Sequence, residues 1–82
     1  MYTQESFLSL ENDAHRRFMK VSYQIEAYEG SYEGYQNWLL GSISAFLQIL
    51  EQQSQDMAPM YRDGILEVVF GRLRTLEGMV EK

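Results

Sequence analysis

The sequence predicts an all-α fold: a three-helix bundle in which a long N-terminal helix runs antiparallel to a buried central helix, followed by a third, C-terminal helix. Apolar residues recur every three or four residues in three separate segments, which is the period of an amphipathic helix. Turn-forming or polar residues separate these segments, at Gly30-Ser31 and at 52–59. Residues that prefer strands cluster only at Glu67–Phe70, inside one of the periodic segments. We expect one helical domain that spans residues 1–82.

Helix one is predicted over residues 4 to 29. Its apolar stripe consists of Phe7, Leu10, Ala14, Phe18, Val21, Ile25 and Tyr28. Polar side chains occupy the opposite side, as solvent exposure requires. Gly30 is suited to end the helix in a left-handed conformation, and Ser31 is suited to cap the next helix. A turn this short makes helices one and two antiparallel neighbours.

Helix two is predicted to begin at Tyr32 or Tyr35 and to end near Gln53. Its apolar residues are Leu39, Ile43, Phe46 and Leu50, widened by Leu40, Leu47 and Ile49. A helix that is apolar nearly all round is either buried on several sides or placed in a membrane. The apolar run is shorter than the 20 or so residues that a membrane span needs, so we expect no membrane partner. Helix two is therefore expected to be the most buried element.

Helix three is predicted over residues 57 to 81, with Pro59 in its first turn and Ser54 or Asp56 as its cap. One stripe of this helix is large and apolar: Leu66, Val69, Leu73, Leu76 and Val80. A second stripe, the small-residue seam, consists of Gly64, Val68, Gly71, Thr75 and Gly78. At about 100° per residue, the seam lies opposite the apolar stripe.

One bundle cannot easily bury both stripes of helix three. Glycine inside a helix costs about 1 kcal/mol relative to alanine, so the three glycines of the seam carry a sizeable cost. We interpret the seam as a surface that packs closely against a second copy of the chain, most simply in a dimer, or against another protein. The alternative interpretation is that the glycines are exposed and tolerated near a fraying helix end.

Composition excludes several classes of function. The formal net charge of −5 disfavours nucleic-acid binding, which needs a basic surface. The chain has no cysteine, and therefore no disulfide framework or thiolate chemistry. Because it begins without a basic segment followed by an apolar run, we expect no signal peptide and a cytoplasmic location.

Aromatic residues are concentrated around the first predicted turn. Tyr32, Tyr35 and Trp38 are candidates for binding a partner, because tyrosine and tryptophan supply large contact areas at low entropic cost. The alternative is that Tyr28, Tyr35 and Trp38 close the end of the core with their polar tips in solvent, and we favour it for Tyr28 and Tyr35. For Tyr32, which is nearest the turn, we favour exposure.

A basic cluster on helix one is the candidate for an anion site. Arg16, Arg17 and Lys20 together suit a phosphate group. The more favoured interpretation is a solvated face in which these cations pair with Glu11 or Asp13.

The sequence contains no catalytic, metal or cofactor motif that would indicate an enzyme. Glu11 and His15 are four residues apart on one helix face, but a metal site needs three or four ligands. The segment Gly30–Gly34 lacks the Lys-Ser/Thr ending of a phosphate-binding loop. We expect no metal and no cofactor.

These observations favour a small protein-interaction module of the adaptor, inhibitor or chaperone-like kind, which self-associates through its C-terminal helix. The alternative is a helical oligomer that binds a small phosphorylated ligand or nucleotide between subunits, with Arg16, Arg17 and Lys20 beside tyrosines.

Overall fold

The computed structural model of the protein describes residues 4–26, 34–53 and 56–80. They form three α-helices: α1 (Gln4–Glu26), α2 (Gly34–Gln53) and α3 (Pro59–Val80). The all-α three-helix bundle predicted from the sequence is thus confirmed, and Glu67–Phe70 is helical. The predicted turn at Gly30-Ser31 and the ends of helices one and two around it lie outside the described residues.

The helices run up, down and up along a molecule with extents of 40 × 18 × 17 Å. α1 and α3 are parallel, because Glu11 reaches Arg62 near the start of α3 and Arg17 reaches Glu77 near its end. α2 is antiparallel to both: Trp38 near its start lies under Arg72 in the second half of α3, and Leu50 near its end lines a groove with Leu8 in the first half of α1. The sequence-based prediction that α1 and α2 are antiparallel is therefore correct.

The core is continuous along the bundle and uses the predicted stripes. Its buried apolar side chains are Phe7, Ala14, Val21, Ile25, Leu39, Ile43, Leu47, Leu50, Leu66, Val69, Leu73 and Leu76. Partly buried side chains, among them Leu10, Phe18 and Met57, pack against this core from the flanks of the helices. At about 25 cal/mol per Å² of apolar area, these residues supply the main force that holds the bundle together.

The central element is α3, whereas the sequence predicted α2. α3 packs extensively against both other helices, and the boundary between α1 and α2 is the thinnest of the three. α2 buries four side chains fully, and half of its residues are exposed. The prediction was wrong because it equated apolar side chains with buried ones. The first half of α2 instead exposes aromatic residues at its surface.

The start of α3 also differs from the prediction. The carbonyl of Ala58 accepts hydrogen bonds from the N–H groups of Tyr61 (3.0 Å) and Arg62 (3.1 Å), which are the first bonds of the helix. Ala58 is therefore the N-cap residue and Pro59 the first helical residue, where its missing N–H costs nothing. Asp56 does not cap the helix, and Ser54 lies outside the described residues.

Candidate functional site

One face of the bundle combines exposed aromatic and apolar side chains with an almost complete lack of charge. It is made by two stripes at helical spacing, one on each of two neighbouring helices. We call it the α2–α3 face; its residues are Tyr35, Trp38, Ser42, Ala45 and Ile49 of α2, and Tyr61, Ile65, Val68, Arg72, Thr75 and Met79 of α3. The small-residue seam borders this face and shares Val68 and Thr75 with it.

Trp38 is the largest exposed side chain of the α2–α3 face. It is 54% exposed and stacks on Tyr35, with ring centroids 5.9 Å apart and an interplanar angle of 13°. Arg72 reaches over from α3 and places its guanidinium carbon 4.5 Å from the Trp38 ring centroid and 5.2 Å from that of Phe46. These contacts hold Trp38 in one orientation, which lowers the entropic cost of using it in a contact.

From the sequence we favoured a Tyr35 that closes the end of the core, and this prediction is wrong. It is 51% exposed and lies on the outer surface with Trp38. Tyr32, the third candidate aromatic, lies outside the described residues, as does Tyr28.

The small-residue seam lies on the solvent side of α3, opposite the core. A Cβ atom added at Gly64, Gly71 or Gly78 would meet nothing within 4 Å. The glycines are therefore not required by packing inside the bundle, which agrees with the prediction that one bundle cannot use both stripes. That the seam is an interface remains a prediction.

Two hydroxyl groups on the α2–α3 face donate hydrogen bonds to backbone carbonyl groups of their own helices. Ser42 Oγ donates to the carbonyl oxygen of Leu39 at 3.0 Å, and Thr75 Oγ1 donates to that of Gly71 at 3.2 Å. Because these donors are already paired within their own helices, a partner could cover them without leaving them unsatisfied.

Charge is unevenly distributed over the molecule. α2 contains one charged residue, Glu51, and the α3 stripe of the α2–α3 face contains one, Arg72. The remaining charges of α3 lie toward α1: Asp63, Glu67 and Arg74 line the groove between the two helices, Arg62 pairs with Glu11, and Glu77 pairs with Arg17. The α2–α3 face thus contains no carboxylate.

A buried ion pair joins α1 to α3 on the other side of the molecule. The Nε of Arg62 donates to Oε1 of Glu11 at 2.6 Å, and both side chains are almost completely covered. The guanidinium carbon also lies 4.6 Å from the ring centroid of Phe7. The sequence-based interpretation placed Glu11 on a solvated face and missed this pair. The spacing could have indicated it, because Glu11 follows Phe7 by four residues and Arg62 precedes Leu66 by four.

The three cations of the predicted anion site are not brought together as a free cluster. Arg17 donates to Glu77 through Nε at 3.1 Å and through a second nitrogen, and its guanidinium lies over Phe70. The hydrogen bond from Arg17 lowers the pKa of Glu77 despite partial burial, and the bond to Glu77 raises the pKa of Arg17. Arg16 pairs with Asp13, as the sequence predicted for a solvated face, and Lys20 is exposed.

The groove between α1 and α3 has a volume of about 610 Å³, which is large enough for a small ligand. Its charged lining comprises the carboxylates of Asp13, Asp63 and Glu67 and the guanidinium groups of Arg17 and Arg74. Carboxylates therefore outnumber cations there, so the groove is poorly suited to a phosphate group.

Glu11 and His15 line a second groove of similar volume, between α1 and the end of α2. Among the described residues, no three His, Asp or Glu side chains come close enough together to hold a metal ion. No helix within those residues has the length and apolar character needed to cross a membrane.

Comparison of the chain with protein-family models, with curated proteins and with solved structures gave no match.

Proposed function

We propose that the protein is a small non-enzymatic protein-interaction module, of the adaptor, inhibitor or chaperone-like kind, and that it binds through the α2–α3 face. The observation that carries the proposal is the separation of charge: ion pairs lie on α1 and α3, and the α2–α3 face has no carboxylate. Interfaces are depleted of charged residues at their centre and enriched in Trp, Tyr and Arg.

The composition of the face supports the proposal further. Trp38 and Tyr35 are about half exposed, Tyr61 is 72% exposed and Val68 is 40% exposed. Arg72 lies among them over an aromatic ring. Isolated exposed apolar residues need no explanation, but several on adjacent stripes of two packed helices form a patch, and such patches mark binding sites.

The alternative function, binding of a phosphorylated ligand, has less support. A phosphate at Arg17 would have to displace Glu77, and one at Arg16 would have to displace Asp13. A thermal-shift measurement with a panel of nucleotides tests this alternative, because a ligand that binds only the folded state raises its stability.

The proposed function is tested by capture followed by reconstitution. The tagged chain, a Trp38→Ala variant and an Asn12→Glu control are used to retain proteins from the cells that express the chain. Asn12 is exposed on α1, away from the α2–α3 face, so the control preserves the proposed surface. A protein that the wild type and the control retain is then purified and titrated against all three.

We expect the captured protein to bind Trp38→Ala at least about 30-fold more weakly than the wild type, as for a central aromatic of an interface. Equal binding by all three proteins, or no retained protein that depends on Trp38, would contradict the proposal.

A further inference from the structure

We propose that the partner of the α2–α3 face is an amphipathic helix of another protein, with one Asp or Glu side chain in its apolar face that pairs with Arg72. This inference rests on the proposed function, because it names the chemistry of what covers the same face. It is carried by the position and contacts of Arg72 and by the helical backbone of the face.

Arg72 differs from the other arginines in the described part of the chain. Arg16, Arg17 and Arg62 each form an ion pair with a carboxylate. Arg74 is exposed, so water can solvate its charge. Arg72 is partly buried, and no carboxylate of the described residues forms an ion pair with it. Its charge is therefore the one that a partner could match.

The contacts of Arg72 orient its side chain without supplying an anion. Its guanidinium carbon lies 4.5 Å from the ring centroid of Trp38 and 5.2 Å from that of Phe46. These rings attract the cation, but they offer no oxygen atom to its five N–H donors. A carboxylate that accepts two of these donors in parallel is the partner that the shape of a guanidinium favours.

The position of Arg72 makes a carboxylate necessary for tight binding. Val68 and Thr75 flank it along α3, and Trp38 lies across from it on α2. A partner that covers these neighbours also removes Arg72 from water, which is costly unless the partner supplies an opposite charge. A second copy of the same face supplies none, because that face contains no carboxylate. Arg72 thus selects against partners that are purely apolar or basic.

The backbone of the face favours a helix as the partner. All residues of the face are helical, and the hydroxyl groups of Ser42 and Thr75 are bonded within their own helices. An extended segment needs an exposed sheet edge to bond its N–H and C=O groups, whereas a helix satisfies its own. At 1.5 Å per residue, the α3 stripe from Tyr61 to Met79 extends over about 27 Å, which matches a partner helix of about 18 residues.

The test is a selection from a displayed library of amphipathic helical peptides of about 18 residues. The library is selected separately on the wild type, on Arg72→Met and on Arg74→Met. The Arg74→Met control makes the same chemical change at an exposed arginine in the groove between α1 and α3, away from the α2–α3 face. Circular dichroism checks that each variant is folded. Peptides that lose binding to Trp38→Ala are the ones that use this face.

We expect the wild type and Arg74→Met to select peptides with Asp or Glu at one position of the apolar face, and Arg72→Met to select peptides without it. Replacement of that Glu by Gln, or Asp by Asn, should weaken binding to the wild type about 10- to 100-fold, and binding to Arg72→Met less than about 3-fold. The peptide change leaves the protein intact, so this comparison does not depend on the stability of a variant.

Two results would overturn the inference. Trp38-dependent peptides that show no preference for a carboxylate would remove the role of Arg72. A library without any Trp38-dependent peptide would overturn the helical partner. The proposed function is judged separately in both cases, by the Trp38-dependent capture of a protein from cells.

Discussion

Glu11 and Arg62 each occupy a position that an apolar residue would be expected to fill. Removal of charged groups from water is costly, and their hydrogen bond at 2.6 Å offsets that cost only while both partners are present. We therefore expect the pair to contribute more to which helices pack together, and in which register, than to net stability. Hydrophobic burial around it supplies the stability.

A single and a double variant separate these two contributions. Arg62→Met leaves the buried Glu11 carboxylate without its guanidinium and should lower the free energy of unfolding by about 3–5 kcal/mol. Glu11→Leu with Arg62→Met should recover most of that loss or exceed the wild type. Urea unfolding followed by circular dichroism measures all three proteins. A double variant no more stable than Arg62→Met alone would contradict this account.

For single residues, the sequence predicted the burial of apolar side chains better than the burial of charged ones. Apolar residues at helical spacing, such as Ile43 and Leu73, are buried as expected. The four-residue spacing from Phe7 could have placed Glu11 on the core side of α1, but that Arg62 would lie opposite it depends on how the helices pack, which the sequence of one helix does not contain. Exposure of Tyr35 was likewise missed, because a tyrosine side chain is compatible with either a buried or an exposed position.

Among the helices, α3 is unusual in having three glycines on one side. A Cβ atom added at any of them meets nothing within 4 Å, so replacement by alanine removes a backbone cost without a clash. Gly71→Ala should stabilise the isolated monomer by about 1 kcal/mol, and Gly78→Ala by less, because Gly78 lies in the last turn. Thermal unfolding at low concentration measures both, with an expected rise of about 4–8 °C for Gly71→Ala. A fall in either melting temperature would show that the glycine supports the monomer itself.

The Arg17–Glu77 pair ties the second half of α1 to the last turn of α3, and its contribution should depend on pH. The pKa of Glu77 is lower in the folded state, because Arg17 donates hydrogen bonds to its carboxylate. The stabilisation is therefore fully present above the unfolded pKa of about 4.3 and is lost as the pH falls through the lower, folded value. Glu77→Gln should cost about 0.2–1 kcal/mol at pH 7 and progressively less in acid.

Unfolding by urea at several pH values gives this difference directly. Glu67→Gln is the matched control, since Glu67 is exposed on the same helix. A stability difference between wild type and Glu77→Gln that stays constant from pH 7 down to pH 3 would argue against the ion pair as its source.

The positions of the three helices were predictable, because apolar periodicity is a local signal. The described bounds Gln4 and Gln53 coincide with the predicted start of helix one and the predicted end of helix two. α3 begins two residues later than predicted, because the choice of cap depends on how the chain approaches the bundle. Which helix is central was not predictable from apolar content, since α2 is the richest in apolar residues and yet presents its aromatics outward.

Across the whole molecule, two kinds of interaction hold the helices together: ion pairs between α1 and α3, and apolar contacts that also include α2. The ion pairs that join helices lie between α1 and α3, and none within the described residues involves α2. α2 is held by apolar side chains and by the contact of Arg72 with two aromatic rings. Patterning within one helix could not predict this division, because it appears only when the helices are placed side by side.

The two kinds of force respond to different surroundings. Dissolved salt screens the partly exposed Arg17–Glu77 pair, whereas it leaves apolar contacts intact. Cooling weakens apolar contacts and has little effect on a charged pair. Salt therefore weakens the tie between the second half of α1 and the last turn of α3, whereas cooling weakens the apolar core that all three helices share. Ionic strength and temperature thus act on different parts of the same bundle.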